Sequence, residues 1–374
     1  MCSNKYNMVA PCLFGIEGIL ADELKRFGIE NVRAENGRVL FSGDLNTIAF
    51  VNINSRYAER VLINVGQFYA TDFTMLFDGV KNLPFEYYIG RDDAFPVNGW
   101  SLNSQLFSVP DCQAIIKKAV VERLKSKYNI SWFSETGPEY KIRFSILKNE
   151  VTVMIDTSGE GLHKRGYRRK SNDAPLKETL AAAMCDTSRI FPDTQLFDPF
   201  CGSGTILIEA ALHAAHIAPG LNRNFAAERF SFIPSKVWQE ERSRALDAIR
   251  RDIDFTATGF DIDKDCVELT LANAKKAGVE KYIKASVADI KDYKMASGRS
   301  LTVTNPPYGE RLLDVQTAER LYQVMGNVFE RGEGRKFGII SPHDEFEKFF
   351  GATADKRRKF YNGMIKCQYF MYIK

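Results

Sequence analysis

An apolar run, Ser300–Val303, breaks off into Thr304-Asn305-Pro306-Pro307-Tyr308-Gly309-Glu310-Arg311. The side-chain oxygen of Asn305 and the carbonyl of Pro306 can accept the two hydrogens of a planar exocyclic amine. Pro306 and Pro307 stiffen that pair of acceptors, and Tyr308 offers a π-face to the attached ring. Such an amine is a weak nucleophile, because its lone pair is delocalised into the ring. Hydrogen bonds that strengthen as the nitrogen gains positive charge stabilise the transition state more than the ground state. The residues therefore suit transfer of an electrophilic group to a base amine, with alignment of donor and acceptor supplying the rest.

A second constellation describes the donor. In Leu196-Phe197-Asp198-Pro199-Phe200-Cys201-Gly202-Ser203-Gly204-Thr205 a strand ends at Asp198, two glycines let the backbone approach a ligand, and Thr205 opens a helix. The turn lacks the third glycine of a dinucleotide fingerprint and has no lysine of a Walker loop. A carboxylate there repels a pyrophosphate and suits an ammonium group. The next strand ends Gly259-Phe260-Asp261-Ile262-Asp263. There Asp261, with Asp263 as the second choice, is placed to accept ribose hydroxyls. Asp289 follows a third strand and can accept the exocyclic amine of adenine. Each aspartate alone could equally cap a helix. Three at successive strand ends describe a nucleoside with an amino-acid tail, S-adenosylmethionine.

The elements that must hold these residues are legible as alternating strands and helices. Strands are expected at 194–197, 257–260, 282–285, 300–304, 336–341, 359–361 and 366–372, with helices between the first five, the pattern of a parallel sheet covered on both faces. Asn362-Gly363 joins the last two as a hairpin, so the final strand runs antiparallel to its neighbour. Upstream, 6–14 reads as a strand, 16–27 as an amphipathic helix and 32–41 as a strand pair turning at Asn36-Gly37. Helices follow at 72–83 and 111–128, and a hairpin at 140–157 closes an α+β half. Residues 158–175, rich in glycine and basic side chains, read as a linker.

A chain of 374 residues, 45% hydrophobic and 26% charged, is ordinary for a globular protein of two or three domains. Seven scattered cysteines without a CxxC pair and four histidines fit neither a disulfide framework nor a metal site. Residues 1–7 hold no apolar targeting segment, and no stretch approaches the roughly 20 apolar residues that span a bilayer. A cytoplasmic protein with no membrane or metal partner is expected. Net charge is +4, and basic and acidic residues balance over 1–155. The excess lies downstream, in the runs 163–170 and 356–359, where solvated loops are the plain alternative to a polyanion site.

The three motifs resemble those of amino-methyltransferases. Ala174–Met184, before the glycine turn, is similar to the segment that packs on the methionine part of the cofactor in that class. Nearly the whole chain resembles the guanine-N2 RNA methyltransferases that carry a THUMP domain, in particular the large-subunit ribosomal RNA enzymes. The resemblance rests also on residues 101–124, 157–170 and 359–372. It implies a ferredoxin-like lead-in over 1–60, a THUMP RNA-binding domain over 61–160 and a seven-stranded Rossmann-like class I methyltransferase domain over 161–374. It further implies catalytic roles for Asn305, Pro306, Pro307 and Tyr308. Asp198, Pro199, Phe200, Gly202, Gly204, Thr205, Asp261, Ile262, Asp289, Glu178 and Thr179 would bind S-adenosylmethionine. With so neutral an N-terminal half, Lys164, Arg165, Arg168 and Arg169, with Lys117 and Lys118, are expected to contact the RNA. Ribosomal RNA is the expected partner, with transfer RNA, a DNA adenine-N6 activity or a noncatalytic RNA-binding role as rivals.

Overall fold

The computed structural model describes residues 5–168, 176–294, 298–308 and 314–373. The N-terminal half contains β1 (Tyr6–Pro11), α1 (Glu17–Arg26), β2 (Glu30–Glu35), β3 (Arg38–Gly43), α2 (Leu45–Asn54) and β4 (Leu62–Tyr69). It continues with α3 (Phe73–Lys81), β5 (Val97–Leu102), α4 (Val109–Tyr128), β6 (Ile142–Leu147) and β7 (Glu150–Asp156). All seven strands lie in one sheet, ordered β2-β3-β1-β4-β7-β6-β5. The sheet is thus continuous between residues 1–60 and 61–160 across β1 and β4, which pair antiparallel at Met8↔Ile63 and Val9↔Leu62. Helix α2 escapes an amphipathic reading because it is buried nearly all round, at Ile48, Ala49, Val51, Asn52 and Ile53. Its start is set locally, by Asp44 accepting from the Thr47 amide while Thr47 Oγ1 accepts from the Asp44 amide.

The C-terminal half runs α5 (Glu178–Thr187), β8 (Gln195–Asp198), α6 (Thr205–Ala214), α7 (Ser235–Asp247), β9 (Thr256–Asp261), α8 (Lys264–Lys276) and β10 (Ile283–Val287). It ends with β11 (Ser300–Thr304), α9 (Val315–Val328), β12 (Arg335–Ser341), α10 (Phe346–Phe350), β13 (Lys356–Asn362) and β14 (Ile365–Tyr372). The second sheet is ordered β10-β9-β8-β11-β12-β14-β13. Strands β8 to β12 are parallel, while β14 runs antiparallel to both β12 and β13, as the Asn362-Gly363 turn requires. Strand order reverses between β8 and β11, and a crevice opens at such a switch point.

Residues 157–168 are not a loose linker. Thr157 and Ser158 are fully buried. Ser158 Oγ donates to Asn52 Oδ1 at 2.6 Å, and Asn52 Nδ2 donates to Thr157 Oγ1 at 2.9 Å. The two halves share one apolar core, reaching from Met8 to Met371. Arg56 joins them again, its Nη2 donating to the carbonyls of Leu212 and Ile217. Among the described residues no helix is long and apolar enough to cross a membrane.

Candidate active site

A cleft of about 530 Å³ lies at the switch point, with Asp198, Phe200, Gly202, Thr205, Asp261, Ile262, Asp289, Asn305 and Pro307 in its wall. Strand β11 is buried along its whole length. It stops at Thr304 because neither Pro306 nor Pro307 has an amide hydrogen for the ladder. Thr304 Oγ1 donates to Asp198 Oδ1 at 2.6 Å, and the Phe200 amide donates to the same oxygen at 3.1 Å. The end of β11 that carries Asn305 is therefore fastened to the end of β8 that carries Asp198. Asp198 is 1% exposed. Burial raises its carboxyl to about 7, outweighing the two hydrogen bonds that favour the ionised form.

The glycine turn is held from the next strand. The Gly202 amide donates to Asp261 Oδ2 at 2.8 Å, and the Asp263 amide donates to Oδ1 at 3.0 Å. Each oxygen keeps a lone pair for a ligand hydroxyl. Gly202 has a φ of 52° and open space where a side chain would stand, so its backbone lies bare to the cleft. Gly204 has another use: with φ at 79°, an added Cβ would lie 2.8 Å from Thr270 Cγ2 of α8. Asp289 accepts from the Lys291 amide at 3.0 Å and heads a short 3-10 turn. Ile262, 73% exposed, stands at the rim.

Asn305 Oδ1 is buried and has no hydrogen-bond partner among the described residues. Tyr308 is fastened to the β13–β14 hairpin by its hydroxyl. Its hydroxyl accepts from Asn362 Nδ2 at 2.9 Å and lies 3.8 Å from Cys367 Sγ. Burial, reinforced by the Cys367 thiol, pushes its ionisation upward.

Several expected contacts fall elsewhere. Thr179 Oγ1 donates to Glu59 Oε1 at 2.6 Å, and Glu178 lies 3.5 Å from the Arg168 guanidinium; Leu176 is the residue of that segment that lines the cleft. Arg165 and Arg168 do not form the expected RNA surface. The Arg165 side chain is 2% exposed and its Nε lies 3.5 Å from Glu209 Oε1. Arg168 donates to the Leu176 carbonyl at 3.0 Å and to Thr205 Oγ1 at 2.7 Å. Lys117 bonds Glu135 at 2.6 Å and sits 3.5 Å above the Phe95 ring. Lys118 and Lys164 are exposed, the latter paired with Glu160 at 2.7 Å. Arg169 and Gly309–Arg311 lie outside the described residues. Sequence reasoning missed the far wall, Thr317, Arg320, Leu321 and Val324 of α9. Their i, i+3, i+4, i+7 spacing is the signal that could have found it.

Residues 165–370 match the RMKL-like methyltransferase domain model, 7–62 the RlmL ferredoxin-like domain and 70–156 the THUMP domain. The chain belongs to the RMKL-like methyltransferase family. YpsC of Bacillus subtilis, whose name places it among RNA methyltransferases, is 40% identical over 371 residues, 98% of this chain and 96% of that protein. The ribosomal RNA large subunit methyltransferase K/L of Psychromonas ingrahamii is 34% identical over 96% of this chain, which spans about half (49%) of that longer methyltransferase. Among solved structures, the methyltransferase SMU.472 in complex with S-adenosylhomocysteine superposes with a TM-score of 0.94 at 40% identity, covering 100% of this chain and 98% of that one.

Proposed function

We propose that this protein is an S-adenosylmethionine-dependent methyltransferase that modifies the exocyclic N2 amine of a guanine in structured RNA, the large-subunit ribosomal RNA. The observation that carries the reading is the buried Asn305 Oδ1, without a partner among the described residues, in the same cleft as the buried Asp198 carboxylate. An acceptor left bare in this way costs about 1–3 kcal/mol, a cost recovered when an amine donates to it. The cleft's donor set fits the cofactor. Asp198 suits the ammonium of its amino-acid tail, Asp261 its ribose hydroxyls, and Ile262 with Ile290 the faces of its base.

When bound, the cofactor supplies an electrophilic methyl group. Asn305 and the Pro306 carbonyl orient the target amine toward it, and Tyr308 stacks on the guanine. The Thr304–Asp198 hydrogen bond keeps the amine-holding and cofactor-holding sides in register. The THUMP match and the similarity of 96% of this chain to about half of a ribosomal RNA methyltransferase support RNA as the substrate. A base inside a helix cannot reach Tyr308, so the target must be unpaired or extruded.

The test is nucleoside mass spectrometry on RNA and DNA from cells with and without the gene. Loss of one N2-methylguanine from large-subunit RNA is expected. Loss of N6-methyladenine from DNA instead would overturn the reading, since the same acceptor pair serves either amine. In the purified protein, Asn305→Ala is expected to abolish transfer, at least 100-fold, while S-adenosylhomocysteine affinity stays within about threefold by calorimetry.

A further inference from the structure

We infer that the tip of the β13–β14 hairpin, backed by the β1–α1 loop of the ferredoxin-like segment, is the surface that grips the RNA strand beside the target nucleotide and holds the base out of its stack. This rests on the function proposed above. The hairpin borders the catalytic residues directly, because Asn362 Nδ2 donates to the Tyr308 hydroxyl. Phe360, Asn362, Ile365 and Cys367 share the hairpin face that meets Tyr308, as the pairs Phe360↔Cys367 and Asn362↔Ile365 require. Lys359, Tyr361, Lys366 and Gln368 fall on the opposite face.

The tip is apolar and uncovered. Met364 is 97% exposed and Ile365 48%. Phe14, 55% exposed, stands beside Tyr361 of the same hairpin, its ring 5.9 Å away in an edge-on arrangement. This loop is built to lie against the hairpin. Gly15 has a φ of 91°, and an added Cβ would collide with the Lys359 carbonyl. One exposed methionine is unremarkable, but apolar side chains on both faces of a hairpin tip that borders Tyr308 mark a contact surface.

Charge selects the partner. Residues 356–366 contain five cations and no carboxylate. Arg357 is occupied by Glu347. Lys359 and Lys366 are exposed and have no carboxylate partner among the described residues, and Lys359 Nζ lies 5.2 Å from the Tyr361 ring. Cations interleaved with stackable rings suit a single strand, whose phosphates meet the ammonium groups while its bases meet apolar faces. An apolar side chain inserted into a base stack is a known way to hold neighbouring bases apart. The basic run at 356–359 thus takes the position that Arg165 and Arg168, turned inward, cannot.

The test uses the full-length protein and unmodified large-subunit ribosomal RNA transcribed in vitro, with p-benzoylphenylalanine introduced at position 364. Photocrosslinks are expected at the nucleotides next to the methylated guanine. Met364→Gly is expected to lower transfer into folded RNA by roughly tenfold, a loss on the order of 1.4 kcal/mol. Lys359→Ala with Lys366→Ala should reduce the slope of log affinity against log salt by about 1.4. All variants should bind S-adenosylhomocysteine as the wild type does, which separates these effects from misfolding. Crosslinks to remote RNA or to a protein alone, or a Met364→Gly variant as active as wild type, would overturn the inference. A wild-type protein that transfers no methyl group to RNA marks failure of the parent reading, and this inference falls with it.

Discussion

Asp198 is expected to set the pH response of the site. Its carboxyl titrates near 7 because burial disfavours the charged form. An ammonium ligand needs that charged form, so below pH 7 binding must expel a proton at about 1.4 kcal/mol per unit. Affinity for S-adenosylhomocysteine should therefore fall toward tenfold per pH unit below 7 and level off above it. Folding stability moves the other way. A carboxyl raised above its unfolded value contributes stability that is full below about pH 4 and lost as pH rises through about 7. Calorimetric titrations from pH 5.5 to 8.5 would show the bend, and Asp198→Asn should bind more weakly with a flat profile. A bend that survives the substitution would assign it to another group.

At the scale of elements, the segment 157–168 acts as a strap. Arg165 and Glu209 form a buried pair, and Tyr167 Oη donates to the same Glu209 oxygen at 3.2 Å. Arg223 adds hydrogen bonds to the carbonyls of Gly161 and Lys164 at 2.8 and 3.0 Å. Arg165→Ala leaves the Glu209 carboxylate buried without its countercharge, a loss of about 3–5 kcal/mol expected in urea unfolding. The salt dependence of RNA binding by the folded variant should be unchanged. A surface role for Arg165 would give the reverse, a reduced salt slope with stability intact. The strap was read from sequence as a linker because glycine and arginine are typical of exposed turns. Nothing local in 158–168 reveals that Glu209, more than forty residues later, receives the guanidinium.

Over the whole molecule, the two sheets are joined by a common core and by buried polar contacts. Gly220 is one point of close approach: an added Cβ would lie 2.7 Å from the Asn52 carbonyl oxygen and 2.8 Å from Ile53 Cα. Backbone atoms cannot move aside as side chains do, so Gly220→Val should cost about 1–3 kcal/mol and lower the melting temperature. Because the core is continuous, calorimetry of the wild type should give one cooperative transition. Two well-separated transitions would show that the halves unfold independently. The same docking brings the Phe14 loop of the N-terminal half against the hairpin beside Tyr308.

The sequence by itself determined the methyltransferase sheet and the motifs placed at its strand ends. Strand period, the Asn362-Gly363 turn and the motifs around Asp198, Asp261 and Asn305 are all local signals, set by residues within a few positions of one another. Only the tertiary structure decided which cations are available to RNA. Arg165 and Arg168 look like surface residues until Glu209, Glu178 and Thr205 arrive from distant parts of the chain. It also decided that Thr179 serves Glu59, that α9 closes the far wall, and that Tyr308 is held by the last hairpin. The physical reason is common to all of these. A charged or polar side chain takes its role from the partner it meets, and here each partner lies on another element, where sequence spacing carries no record of it.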